Sequence, residues 1–285
     1  MSRPQPEKPL FLLTDNGSVR AESALALRGI ADDLFRRTGQ QVEAASLAHS
    51  DRIPVDKLGG TPARLLPDWL SDESSTRDRP VCVLPFFLGN RGAIVRSVEK
   101  TIADAVAKNP DLSVRISPFL FEEDGEHQDV LARAAAALVR EQFTASDPAP
   151  PNVILVDHGS PFPIAAQVRN FVAGQLQAFL CGEVRSVIPA SMERREGERF
   201  AFTDPLLSEV LRRPVLHSRP VILSHFFLLP GRHAGKDGDV AEICAEARGE
   251  FPSLEIRPTG LLGNHPIVEE ALAARMDRFA ASLRA

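Results

Sequence analysis

Residues 153–160 read Val-Ile-Leu-Val-Asp-His-Gly-Ser. Four apolar residues, two of them valine and one isoleucine, have the length and character of a buried strand, and the Gly-Ser pair ends it in a tight turn. Beyond Pro163, the residues Val168, Phe171, Val172, Leu176 and Phe179 fall on one helical stripe, so the strand feeds a helix. Pro220-Val-Ile-Leu223 is a second buried-strand candidate. Leu272, Met276, Phe279 and Leu283 form a last helical stripe after Pro266. Continuous apolar strands alternating with amphipathic helices predict a parallel sheet with helices on both faces, an α/β fold.

The same pieces occur earlier in the chain, in the same order. Phe11–Ser18 lines up with Ile154–Ser160, Ala45-Ser-Leu47 with Ala190-Ser-Met192, Leu84–Leu88 with Ser224–Leu228, and Leu112–Arg115 with Leu254–Arg257. The matched pieces lie 140 to 145 positions apart. Four matches in one register indicate a duplicated domain rather than a solenoid. Between the copies runs Ala-Ser-Asp-Pro-Ala-Pro-Pro, residues 145–151, whose prolines suit neither a helix nor a central strand. The expected organisation is two tandem domains, residues 1–147 and 150–285, facing each other across a cleft.

Composition narrows the function. The 285 residues are 44% hydrophobic and 25% charged, an ordinary globular balance, and the length suits about two domains. A net charge of −5 argues against general binding of nucleic acid or anionic membrane, and the lack of tyrosine argues against stacking on single strands. Cys82, Cys181 and Cys244 form no CxxC pair, so neither a disulfide framework nor a thiolate zinc site is expected, and all three read as small core hydrophobes. The opening MSRPQPEKP has no apolar signal core behind it, and no apolar run reaches membrane-spanning length. The expected location is the cytoplasm.

In a parallel α/β sheet, ligands bind at the carboxyl ends of the strands. Three residues of the second copy stand there: His158 after Val153–Val156, Glu193 after Val187-Ile188, and His233 in the glycine-rich turn after Val221–Leu228. Gly159 is expected to make the turn and to let a ligand approach the backbone. A lone loop histidine is most often a hydrogen-bonded surface residue, but three candidates at three strand ends outweigh that reading. The first copy is an internal control. Its counterparts of His158 and Glu193 are Asn16 and Ala48, and Gly89-Asn-Arg-Gly92 holds no histidine, so one copy is equipped and the other is not.

Other motifs fail. Residues 231–237 lack the spacing of a phosphate loop, and no GxGxxG, GxSxG or HExxH occurs. Ser160 is too close in sequence to His158 for a hydrolase pair. His225 reads as structural, and His265 as part of a helix entry.

On His158-Gly-Ser160, Ser191-Met-Glu193, Phe226–His233 and Leu261–Pro266, the sequence resembles the class II chelatases, the sirohydrochlorin cobaltochelatase and ferrochelatase family, in its long form with two fused copies. The resemblance implies insertion of a divalent metal, cobalt or iron, into sirohydrochlorin in cobalamin or sirohaem biosynthesis. It implies that His158 and His233 bind the incoming metal and help deprotonate the macrocycle, with Glu193 as third ligand or proton acceptor. Neutral imidazoles and a carboxylate suit cobalt, iron or nickel, and the metal is a substrate, so no resident cofactor is expected. Asp157 is placed to orient an imidazole. Sirohydrochlorin carries eight carboxylates, so Ser160, Arg194, Arg195, Arg199, Arg232 and Lys236 are the expected substrate contacts. The expected assembly is a monomer whose two domains mimic a dimer. The alternative is a non-catalytic tetrapyrrole- or metal-binding protein of the same fold; a histidine phosphatase would need an Arg-His-Gly cradle that is missing here.

Overall fold

The computed structural model describes residues 8–89, 92–121 and 128–283. Asn90 and Arg91 of the first copy's third loop lie outside them. From the N-terminus run β1 (Leu10–Asp15), α1 (Ala21–Thr38), β2 (Val42–Ser46), α2 (Leu66–Ser71), α3 (Glu73–Thr76), β3 (Val81–Pro85), α4 (Ala93–Lys108), β4 (Val114–Ile116) and α5 (Val130–Arg140). The second series is β5 (Asn152–Asp157), α6 (Pro163–Phe179), β6 (Ser186–Ser191), α7 (Leu207–Leu211), β7 (Val221–His225), α8 (Asp239–Glu250), β8 (Ile256–Pro258) and α9 (Pro266–Ser282).

Two four-stranded sheets result, ordered β2-β1-β3-β4 and β6-β5-β7-β8, and every strand pair is parallel. The duplicated α/β architecture read from the sequence is therefore present. β1 and β5 sit inside their sheets and are buried along their whole length, which is why they read as unbroken apolar runs. In the second sheet, Ile154, Val156 and Leu223 pack with Leu207, Val210, Leu211, Val240 and Cys244.

The compact units do not follow the division at 147 and 150. One unit holds the described residues before 128 together with those from 268 onward, and the other holds 128–267. Thus α5, which follows β4 in the chain, belongs to the second unit, and α9, which follows β8, to the first. Contacts within each unit hold them there. In the first unit Phe279 of α9 meets Phe11 of β1 edge-on at 5.6 Å, and Arg275 donates to the Phe119 carbonyl at 2.8 Å. In the second unit Arg140 of α5 pairs with Glu183 and donates to the Phe179 carbonyl at 2.8 Å. The proline-rich stretch consequently lies within the second unit. It is anchored there by Arg257, which holds Asp147 through two hydrogen bonds of 3.0 and 2.7 Å.

Cys82 and Cys244 are buried as expected, and burial pushes their thiols up to about 12 and about 11. Cys181 corrects the expectation: it lies exposed just past α6, where the chain turns toward β6. Among the described residues no helix is long and apolar enough to cross a membrane.

Candidate functional site

The order β6-β5-β7 puts the residues just past these three strands at one edge of the second sheet. His158 Nε2 lies 3.4 Å from Glu193 Oε1, and the rings of His158 and His233 meet edge-on with centroids 4.2 Å apart. All three side chains keep access to solvent. The three residues picked from sequence are therefore neighbours in space.

Their hydrogen bonds orient the rings. Asp239 Oδ2 stands 2.6 Å from His233 Nδ1, and the Gly159 carbonyl stands 3.1 Å from His158 Nδ1. A carboxylate and a carbonyl can only accept, so each Nδ1 is the donor, and in the neutral ring Nε2 carries the lone pair. The edge thus gathers two imidazole lone pairs and a carboxylate, a donor set that suits a borderline divalent cation. Among the described residues, no three His, Cys, Asp or Glu side chains stand at the spacing that holds a metal ion, so the donors must close in to share one.

Backbone geometry explains how Glu193 reaches His158. Met192 and Glu193 donate to the carbonyls of Asp157 and His158 at 2.8 and 3.3 Å. Gly159 has φ +89°, and a Cβ there would lie 1.9 Å from the Glu193 carbonyl oxygen. The glycine therefore makes room for the Glu193 backbone, not for a ligand as the sequence suggested. The first unit repeats this arrangement. Leu47 and Ala48 donate to Asp15 and Asn16 at 2.9 and 3.3 Å, and Gly17, with φ +83°, faces the Ala48 carbonyl. Asn16 and Ala48 are thus true counterparts of His158 and Glu193, on the same backbone and without the donors.

Asp157 does not orient an imidazole. Its carboxylate is buried, accepts from Ser191 Oγ at 2.7 Å and lies 3.4 Å from Arg169 Nη1. Burial raises its pKa, against the pull of the Arg169 charge. The imidazole partner is Asp239 instead. Gly238 precedes it, where a Cβ would press on the carbonyls of Arg232 and His233 at 2.8 and 2.7 Å. A carboxylate six residues past His233 at the start of α8 was readable in the sequence and was overlooked. Arg169 was also readable, since it shares the stripe of Val172 and Leu176, where a charge is unexpected.

The expected substrate contacts divide. Arg194 is engaged by Asp204 at 2.5 Å, and the Arg199 guanidinium lies over the Phe200 ring at 4.7 Å. Arg232 is well exposed, 3.7 Å from Asp239, and Arg195 and Lys236 are exposed. Ser160 Oγ accepts from the Phe162 amide at 3.1 Å, a turn contact ahead of α6. His225 is structural: its Nδ1 meets the Thr259 carbonyl at 2.9 Å, and burial lowers its pKa. His265 Nδ1 accepts from the Ile267 amide at the entry of α9.

Comparison with known proteins agrees with the two-sheet fold. Residues 152–279 match the family model CbiX. No curated protein sequence matches significantly. Among solved structures, SirB from Bacillus subtilis with Fe3+ superposes with a TM-score of 0.69 at 14% identity, over 97% of both chains. The sirohydrochlorin chelatase SirB from Bacillus subtilis subspecies spizizenii, in complex with cobalt, gives 0.68 at 14% identity over 96% of both. DR2241 from Deinococcus radiodurans, a multi-domain protein with structural similarity to chelatases, gives 0.64 at 21% identity over 94% of this chain and 55% of its own. Residues 152–279 are thus similar to the CbiX family, and the chain as a whole shares the two-sheet fold of the SirB structures.

Proposed function

We propose that this protein inserts a divalent metal, cobalt or iron, into a sirohydrochlorin-type tetrapyrrole, with the chemistry carried by its second half. The observation behind the reading is the His158–Glu193–His233 cluster at the carboxyl edge of the second sheet, set against Asn16 and Ala48 on the same backbone in the first. The metal-bearing SirB structures support the choice of substrates, since they share this fold along nearly the full chain.

The residues suit the step. Insertion of M²⁺ forms metal–nitrogen bonds and releases two pyrrole N–H protons. His158 and His233 offer Nε2 to the incoming cation, and Asp239 keeps His233 in the tautomer that does so. Glu193, beside His158, accepts a released proton or completes the ligand set. Arg195 and Lys236 are exposed and able to meet peripheral carboxylates of the macrocycle, whereas Arg194 must first leave Asp204 and Arg232 lies within ion-pair distance of Asp239. Anaerobic assays with Co²⁺, Fe²⁺ and Ni²⁺ side by side test the reading. Turnover with at least one metal supports it; a shifted tetrapyrrole spectrum without turnover identifies a binding protein instead.

A further inference from the structure

Behind the cluster lies a buried charged side chain. Arg169 of α6 is fully buried. Its Nη1 donates to Ser191 Oγ and to the Thr203 carbonyl, the latter at 3.0 Å, and lies 3.4 Å from Asp157 Oδ1. Nε and Nη2 both donate to Asn170 Oδ1, at 3.1 and 3.0 Å. Each of the three Nη1 partners has a definite place relative to the cluster. Asp157 immediately precedes His158, Ser191 stands two residues before Glu193, and Thr203 closes the exposed stretch 193–199 and its following turn. One cation therefore ties the strand end of His158 to both ends of the loop that bears Glu193.

We propose that Arg169 is a positioning residue: to the backbone pairing that both units share it adds a side-chain tie on the loop that bears Glu193, and so keeps that carboxylate beside His158. Burying a guanidinium is costly, and its retention calls for a return that the fold alone does not require. The first unit makes this visible. α1 and α6 bury the same helical positions, and the counterpart of Arg169 is Leu27. Asp15 and Ser46 keep their 2.7 Å hydrogen bond there, but among the described residues no arginine side chain is bonded to them. Beside Leu27 and Ser46 opens a cavity of about 250 Å³, bordered also by Ala31, Val42, Arg64 and Trp69. The sheet closes without the arginine. The arginine thus accompanies His158 and Glu193, and Leu27 accompanies Asn16 and Ala48.

The part of this inference that concerns metal handling rests on the chelatase reading; the part that concerns the loop does not. The test is therefore double. The loop holds Arg194, Arg195 and Arg199, so trypsin reports its order in the folded full-length protein. Arg169→Leu, the residue of the first unit, should speed cleavage at these sites at least tenfold while sites elsewhere keep their rates. It should also weaken binding of Co²⁺, used as a probe, by about 10- to 100-fold, as expected when support of a ligand is lost. Methylguanidinium added to Arg169→Ala should recover part of both. If Arg169→Leu does not fold because Asp157 is stranded, Asp157→Asn/Arg169→Leu removes that carboxylate and is judged by the same two readouts. Loop cleavage and Co²⁺ affinity within twofold of wild type would overturn the proposal. A wild-type protein that neither binds Co²⁺ nor inserts it would instead defeat the chelatase reading, and the cleavage result would still decide the role of Arg169.

Discussion

Asp239 Oδ2 lies 2.6 Å from His233 Nδ1, so a carboxylate at the start of α8 sets which nitrogen of that ring faces the site. Removing it frees the ring to rotate and to change tautomer. Asp239→Ala should reduce metal insertion by about 10- to 100-fold, the usual effect of losing a ligand's hydrogen-bond partner. Asp239→Asn should be no better, because its amide N–H₂ can donate to Nδ1 and move the proton to Nε2. Asp239→Glu should recover part of the activity. Initial rates with Co²⁺, read beside thermal melting, check this: equal rates in Asp239→Asn and wild type would remove the residue from the site.

The two buried aspartates at the ends of β1 and β5 should respond differently to amidation. Asp15 is buried beside Ser46, with no arginine side chain bonded to it among the described residues, and burial raises its carboxyl above the ordinary 3.8. Its contribution to stability is complete below that value and is lost as pH rises through the raised one. Asp15→Asn should therefore be neutral or stabilising at pH 7. Asp157→Asn leaves the fully buried Arg169 without its anion, which costs about 3 kcal/mol or more. Denaturant unfolding of both variants at pH 7 measures the contrast, and equal losses would contradict it.

Arg257 grips Asp147 in a two-pronged pair and also donates to the Gln142 carbonyl at 3.1 Å. The pair ties the proline-rich stretch to β8. The Arg257 guanidinium, with help from Thr144, holds Asp147 well below the ordinary 3.8. This stabilisation is fully present above that value and is lost as pH falls toward the lowered one. Arg257→Ala should cost about 2 kcal/mol at pH 7, since it removes charge-assisted hydrogen bonds at a mostly buried site. The difference from wild type should shrink in acid; a difference independent of pH down to strongly acidic conditions would mean that the pair contributes little.

Much of this could be read from residues alone, because the relevant signals are local. Val153–Ser160 and its copy at Phe11–Ser18 declare a buried strand followed by a forced turn, and strand ends are where parallel sheets expose functional groups. That reasoning picked His158, Glu193 and His233, which the fold brings side by side. It failed where the answer depends on which element packs on which. The apolar stripes of α5 and α9 state that these helices are buried, but not that each lies in the unit of the other repeat. Asp157 next to His158 suggests a carboxylate that orients an imidazole, yet alternation along β5 and the next turn points the two side chains to different surroundings, and Arg169 from α6 claims the carboxylate. Gly159 advertised open space, which the Glu193 backbone fills.

The most direct test of the account compares two variants at equivalent positions, His158→Ala and Asn16→Ala, in anaerobic Co²⁺ insertion into sirohydrochlorin by the full-length protein. The two residues sit on matching backbones, and only one of them offers an imidazole nitrogen to a metal. The account predicts that His158→Ala loses about 100-fold or more in rate, as removal of a positioned ligand or base commonly does, while Asn16→Ala stays within about twofold. Loss of turnover in Asn16→Ala with retention in His158→Ala would contradict it.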